Sequence, residues 1–313
     1  MATQMRNWIM AGLIGLLVAC GGGGGGDRAA GVEPGPESPG QPVPPTPIPP
    51  APPAVSYAEA EELRAFITGV TIPEDGRAVV DFQLADGNDT AITDLTKDDV
   101  RFIIAKLQTS PLSSSSGTWQ SYVNRTRDPD PDEGDGTETR LQATYEGVRN
   151  TDDGEFTNNG DGTYRYRMVL DVTDLDEEIL AQAEVEGLDL SYDPDLVHRL
   201  GMQFDNAQVY VNPTYDFVPA TGATDGLMTM DIGATDNCNS CHDPLRIHGR
   251  RVEVKYCVTC HNPGSTDASS TNTVDMKVMI HKIHMGANLP SVVAGGEYIV
   301  GGHDYSNLHY PQD

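Results

Sequence analysis

Positive charge is scarce in this sequence. Lys and Arg number 20 against 47 Asp and Glu, a formal net charge of −27 over 313 residues. That balance excludes a nucleic-acid binder, because a phosphate backbone is held by neutralising it with cations. It leaves a soluble, self-repelling surface. The deficit is uneven: from Asp231 onward the net charge is −3, which leaves −24 for the first 230 residues. The two stretches therefore read as different domains, within the one to two that the length allows. Cysteine is also scarce. Four of the five sit in two close pairs near the C-terminus and Cys20 stands alone, so a disulfide scaffold spread across the fold is excluded in favour of cofactor or metal chemistry. Histidine is nearly missing from the first 230 residues, where His198 is the only one. A long apolar run is lacking as well: Trp8–Ala19 is 12 residues, short of the roughly 20 that span a bilayer.

That short run follows Arg6 and fits the hydrophobic region of an export signal. It ends in Leu17-Val18-Ala19-Cys20. This resembles the lipobox of bacterial lipoproteins, which implies cleavage before Cys20 and lipidation of its thiol. The alternative is an ordinary secretory signal that contains a Cys. Gly at position 21, rather than Asp, is compatible with outer-membrane sorting in such lipoproteins. Residues 1–20 are thus read as the signal and 21–54 as a linker. The linker opens with six glycines and continues with 11 prolines in residues 31–54. A polyproline stretch of this length reaches roughly 70 Å, enough for a stalk, although a spacer of no set length fits equally.

Residues 55–230 alternate short apolar runs with turn residues. Val80, Phe82 and Leu84 alternate, Arg101–Leu107 is a compact apolar run, and Tyr164–Leu170 alternates again after the turn signal Asn158–Gly162. Gln208–Val211 is a further strand candidate. The pattern predicts a mainly β domain, an antiparallel sandwich or split barrel. Helix is expected only over Glu59–Ile67 and Asp174–Glu186. Asp128, Asp130, Asp132 and Asp135 form an acidic loop. It lacks the Gly and Glu that an EF-hand needs at positions six and twelve, so it reads as a solvated loop. Trp119 reads as a packing residue, and lone His198 as a surface or core histidine without a functional role. No nucleophile–base pair or phosphate loop stands out.

The chemistry lies in residues 231–313. Cys238-Asn239-Ser240-Cys241-His242 and Cys257-Val258-Thr259-Cys260-His261 are two C-x-x-C-H motifs. In a c-type haem site both thiols add to porphyrin vinyl groups and the adjacent His becomes the proximal axial ligand of the iron. The same cysteines also read C-x2-C-x15-C-x2-C, within the window for structural zinc. Zinc gives no reason for a His after each pair, so two covalent haem c sites are the expected reading. Covalent tethering also holds cofactors that so short a segment has little protein to bury. Five further histidines follow: His248, His281, His284, His303 and His309. Their enrichment points to bis-His ligation in preference to Met276, Met279 or Met285, which would raise the potential. His248 lies in a short loop between the motifs. His281 and His284 are spaced i, i+3 on an expected helix over Val274–Met285 and leave one face together. His303 and His309 are weaker candidates in a Gly-rich tail. With both axial positions filled, an iron cannot readily bind substrate. The segment is therefore expected to transfer electrons and not to act as an enzyme; a haem enzyme with an open iron site is the rival.

The run CHDPLRIHGRRVEVKYCVTCHNPGS, followed by VDMKVMIHKIHMG, resembles the first haem-binding domain of the decahaem outer-membrane cytochromes, the OmcA/MtrC family. Asn212–Gly222 and the preceding β domain are similar too. The resemblance implies a split β-barrel domain followed by a haem-packed, mostly irregular or helical multihaem cytochrome c domain. It implies a lipid-anchored protein of the cell outer membrane that faces the exterior. Expected partners are a porin–cytochrome conduit and other multihaem cytochromes, with extracellular metal oxides or flavins as acceptors. By motif, His242 and His261 carry over as proximal ligands and His248, His281 and His284 as distal ones. The family carries ten haem motifs and this sequence two. That departure predicts the N-terminal half of a longer protein, with a working two-haem protein as the alternative.

Overall fold

The computed structural model describes residues 55–110, 113–147, 154–205 and 208–311. The expected signal, the linker and Cys20 lie outside them. The strands of the first part are β1 (Leu63–Thr71), β2 (Arg77–Asp86), β3 (Val100–Ser110), β4 (Ser113–Ser121), β5 (Asn124–Arg127), β6 (Arg140–Ala143), β7 (Glu155–Asn158) and β8 (Thr163–Asp171). Helix α1 (Glu177–Glu186) follows, then β9 (His198–Phe204) and β10 (Thr214–Phe217). They form two antiparallel four-stranded sheets, ordered β1-β2-β8-β7 and β10-β9-β3-β4, with β5 and β6 paired separately. The architecture is the expected antiparallel β arrangement, without closure into a barrel.

Alternation explains the first sheet. Ala78, Val80, Phe82 and Leu84 are buried on one face of β2, as a period of two requires. The Phe82 ring lies 5.2 Å from Tyr164 of its own sheet, and 6.1 and 6.4 Å from Phe102 and Phe204 of the other. The second sheet behaves differently. Ile104, Phe102 and Leu200 face that shared core, while Ala105, Leu107 and Trp119 belong to a second core with Val254, Val258, Met276, Met279 and Tyr298. Strands buried on both faces read as continuous apolar runs. Hence Arg101–Leu107 shows no alternation.

Two sequence expectations are corrected. Glu59–Ile67 is not a helix: a single 3-10 turn covers Tyr57–Glu59 and the chain then enters β1. Glu and Ala favour a helix locally, but the ladder to β2 overrides a weak intrinsic preference. Gln208–Val211 is not a strand. The strand begins at Thr214, just past Pro213, which has no N–H to give a ladder. The helix expected over Asp174–Glu186 starts at Glu177, with Asp176 capping the Glu178 N–H. The Asn158–Gly162 turn joins β7 to β8, with Gly160 and Gly162 at φ of 81° and 86°.

In the second part, α2 (Thr235–Asn239), α3 (Val254–Cys260), α4 (Met276–Met285), α5 (Pro290–Val293) and the two-residue strands β11 (Ile299–Val300) and β12 (His303–Asp304) alternate with irregular chain. This segment lies against the outer face of the second sheet. Arg199 spans the junction. It forms a bidentate pair with Asp216 at 2.6 and 2.7 Å, stacks 4.3 Å from the Trp119 ring, and donates to the Lys255 carbonyl at 3.3 Å. Trp119 in turn donates to the Met230 carbonyl at 3.1 Å. The acidic loop also meets this segment, where Asp130 N–H and Gly136 N–H donate to Ser269.

His198 is a core residue, which decides between the surface and core positions that the sequence left open. It is fully buried, with Nε2 3.1 Å from the Tyr122 hydroxyl and Nδ1 2.9 Å from the Leu196 carbonyl. Burial pushes its pKa down to about 4, against the pull of that carbonyl; nearby Lys106 adds to the depression and Asp193 opposes it. In the unfolded chain the group binds a proton near its ordinary value of 6.5, so protonation favours unfolding. The stability it contributes is complete above pH 6.5 and is lost as pH falls toward 4, about 3 kcal/mol in all. Denaturant titrations at pH 7 and pH 4 are expected to show this excess loss in the natural chain. A His198→Leu variant is expected to lack it, keeping only the acid loss due to other groups.

Candidate functional site

Helix α3 is positioned by the residue before its first cysteine. Tyr256 is fully buried, and its ring approaches β9 at Gly201, where a Cβ would lie 2.7 Å from Tyr256 Cδ2. Only glycine admits that approach. Val254 and Val258 bury into the second core. Cys257 and Cys260 consequently sit at the interface, both buried. His261 donates its backbone N–H to the Cys257 carbonyl at 2.8 Å, so one helical turn gathers both thiols and the imidazole. The ring is turned by a contact of 3.0 Å between Nδ1 and the Val274 carbonyl, which leaves Nε2 as the available donor atom. Burial is the main cause that pushes the His261 pKa down to about 4, with His248 adding to it, the Val274 carbonyl opposing it and Arg251 adding again. The imidazole is therefore neutral at physiological pH and its lone pair is free for a metal. Burial, together with the charge of Cys260, pushes the Cys257 thiol up to about 12; burial also raises that of Cys260.

The first motif is built the same way in a more open place. Cys238 ends its turn in α2, half-buried, and Cys241 is exposed. Cys241 and His242 donate their backbone N–H groups to the Cys238 carbonyl at 3.1 and 2.9 Å. His242 is exposed.

The distal candidates resolve into pairs. The His248 and His261 rings have centroids 5.8 Å apart and planes 17° from parallel. The His242 and His284 rings are 6.3 Å apart with planes at 89°. A metal–imidazole bond of about 2.0–2.1 Å puts two rings that face each other across one ion roughly 6 Å apart, centre to centre. Both ring separations are of that size. Helix α4 occupies most of the expected Val274–Met285 span and starts at the Asp275 cap. It aims both of its histidines the same way. His284 Nδ1 lies 2.8 Å from the Ile280 carbonyl and His281 Nδ1 2.5 Å from the Lys277 carbonyl. His281 nevertheless has neither motif's His opposite it, among the described residues. His303 is exposed beside Tyr305 and His309 is exposed. Met276 and Met279 are packed in the second core.

Zinc does not fit. Among the described residues no three His, Cys, Asp or Glu side chains converge on a point that could hold a metal ion, and a tetrathiolate site needs four. Sequence reasoning missed two neighbours of the site. Tyr310 stands edge-on to His284 at 5.3 Å with its hydroxyl 4.0 Å from Cys241 Sγ; no local pattern marks it. Arg251 has its guanidinium 5.8 Å from the Tyr256 ring and 5.6 Å from the Tyr145 ring. Dialysis of the mature protein against EDTA is expected to leave its thermal midpoint and visible spectrum unchanged. A lowered midpoint with zinc in the dialysate would restore the tetrathiolate reading.

Comparison with known proteins identifies the family. Residues 64–224 match the family described as the OmcA-like N-terminal domain, and residues 231–312 match that described as outer membrane cytochrome MtrC/MtrF-like, domains II/IV. A multiheme cytochrome MtrC from Shewanella baltica (strain OS185) is 25% identical over 251 residues, which cover 75% of this chain and 32% of the relative. The crystal structure of the outer membrane decaheme cytochrome OmcA superposes with a TM-score of 0.69 at 29% identity, over 82% of this chain and 39% of that one. The structure of MtrC from the same Shewanella baltica strain shares the fold, with a TM-score of 0.50 at 22% identity over 70% of this chain and 32% of that one. The chain thus spans about a third of the length of the curated relative that it matches. Among the described residues no helix is long and apolar enough to cross a membrane. The chain belongs to the OmcA/MtrC family of outer-membrane multihaem cytochromes and matches the N-terminal part of that family.

Proposed function

We propose that the chain carries electrons through two covalently bound haem c groups, each closed on both faces by histidine. The first is held by Cys238 and Cys241, with His242 proximal and His284 distal. The second is held by Cys257 and Cys260, with His261 proximal and His248 distal. The observation that carries this reading is the pair of facing imidazoles, 5.8 and 6.3 Å apart, each built around one motif His. When bound, the haem supplies an iron that alternates between two oxidation states by one electron. The chain's residues do the remainder. The thiols tether, and the Val274 and Ile280 carbonyls orient the rings. Imidazoles on both faces would keep substrates from the iron, which favours electron transfer over bond-making catalysis. His281 has the same backbone anchor as His284 and is proposed as a ligand to a further haem, outside these two motifs.

The wider setting rests on the family. We propose lipidation at Cys20, with residues 21–54 as a stalk ahead of the β-rich part (55–230) and the haem-bearing part (231–313). The anchor is in the outer membrane and the protein faces the cell exterior. Its partners are a porin–cytochrome conduit and other multihaem cytochromes, and its acceptors metal oxides or flavins. No terminal metal-reductase role is proposed for these two haems alone.

The ring planes supply the test. Nearly parallel axial imidazoles give a rhombic low-spin ferric EPR spectrum, whereas perpendicular ones give a single strongly shifted feature at large g. The matured chain is expected to retain two haems by mass on a denaturing gel, to show one spectrum of each kind, and not to bind carbon monoxide when reduced. A colourless product, or ready carbon monoxide binding by the natural chain, would overturn the reading.

A further inference from the structure

Two of the four paired imidazoles, His242 and His248, have no backbone anchor for the ring among the described residues, and His248 is the one carried by a loop between the motifs. His261 and His284 each set their ring by an Nδ1 contact to a backbone carbonyl. His248 has no such contact among the described residues. Its backbone lies in the left-handed region, at φ 51°, followed by Gly249 at φ 78°, a conformation that a residue with a β-carbon rarely holds unless its surroundings enforce it. The turn is closed by two bonds between residues 247 and 251: Ile247 N–H to the Arg251 carbonyl at 2.9 Å, and Arg251 N–H to the Ile247 carbonyl at 3.0 Å. Nothing within the turn fixes its direction.

The β-rich part does so from outside. Arg251 Nε donates to Gln203 Oε1 of β9 at 2.9 Å, and its guanidinium lies over the Tyr145 and Tyr256 rings. Arg250 Nη1 reaches the Asp205 carbonyl at 3.0 Å and the Asp205 carboxylate at 2.9 Å. The Val252 N–H donates to Asn212 Oδ1 at 2.8 Å. These anchors are themselves fixed. Gln203 and Asn212 are buried, Gln203 Nε2 donates to Asp205 Oδ1 at 2.9 Å, and Asp205 pairs with buried Arg101 at 2.7 Å.

We propose that Arg251 is a positioning residue, which ties the turn bearing His248 to the end of β9 and thereby keeps the second haem's distal ligand over the iron. The inference rests on the ligation proposed above. It gives the β-rich part a task in the electron-carrying chemistry: control of whether that iron stays closed.

The test uses the haem-loaded chain with three variants. His248→Ala defines the fully opened state. Arg251→Gln and Gln203→Leu remove the same hydrogen bond from opposite ends, so that either suffices if the other does not accumulate. Both are expected to lose part of the rhombic low-spin signal, to gain a high-spin ferric signal, and to bind carbon monoxide at one of the two haems when reduced. The large-g signal of the first haem should be unchanged. A lowered thermal midpoint with both low-spin signals intact would make the contact merely structural and overturn the proposal. If His248→Ala itself leaves both irons low-spin and inert to carbon monoxide, the ligation reading falls and the proposal with it. If His248→Ala opens the iron and neither other variant does, only the positioning role is lost.

Discussion

The close approach of Tyr256 to β9 is the contact on which the arrangement depends. A sheet strand with a side chain at position 201 would hold α3 away, because the Tyr256 ring already stands where that side chain's first carbon would be. With α3 seated, several consequences follow together. Val254 and Val258 close the second core over Leu107 and Trp119. Cys257 and Cys260 become buried, and Met276 N–H is brought to the His261 carbonyl at 3.0 Å. That last bond starts α4 where His284 can reach the first motif. The junction is strengthened by Arg199, a fully buried cation held by a carboxylate on one side and an indole face on the other. Removing one partner from such a buried group leaves an uncompensated charge, which is why these junctions tolerate change poorly.

The two motifs share chemistry but not environment. The second is enclosed by protein and faces Arg251; the first is open, and Tyr310 is its aromatic neighbour. Haem potential depends on axial ligand, exposure and nearby charge. With histidine expected at all four axial positions, exposure and charge are left as the levers that separate the two groups. An acidic chain, at −27 overall, makes a partly buried arginine beside one site and not the other a marked local difference in field.

What the sequence disclosed follows from the range of the interactions involved. Covalent attachment needs two thiols and a His within one helical turn, so both motifs were legible without any fold. Val80, Phe82 and Leu84 were legible because one face of β2 is buried and the other is not. Glu59–Ile67 misled, since its helix formers express a local preference that pairing with β2 outweighs. Gln208–Val211 misled because apolar content does not require a ladder. Among the histidines, enrichment identified His248 and His284 as candidates, but which one faces which motif depends on where α4 and the 247–251 turn are carried by the rest of the chain. The same holds for Tyr310, which reaches the first motif from 69 residues away.

The burial of Cys257 and Cys260 beneath the sheet has a consequence for how the molecule is assembled. A porphyrin cannot enter through a packed interface, and thioether formation needs both sulfurs within reach of an attachment machinery. With haem bonded to this pair, as proposed, both sulfurs would have to meet that machinery before α3 docks, whereas Cys241 is exposed in the folded chain.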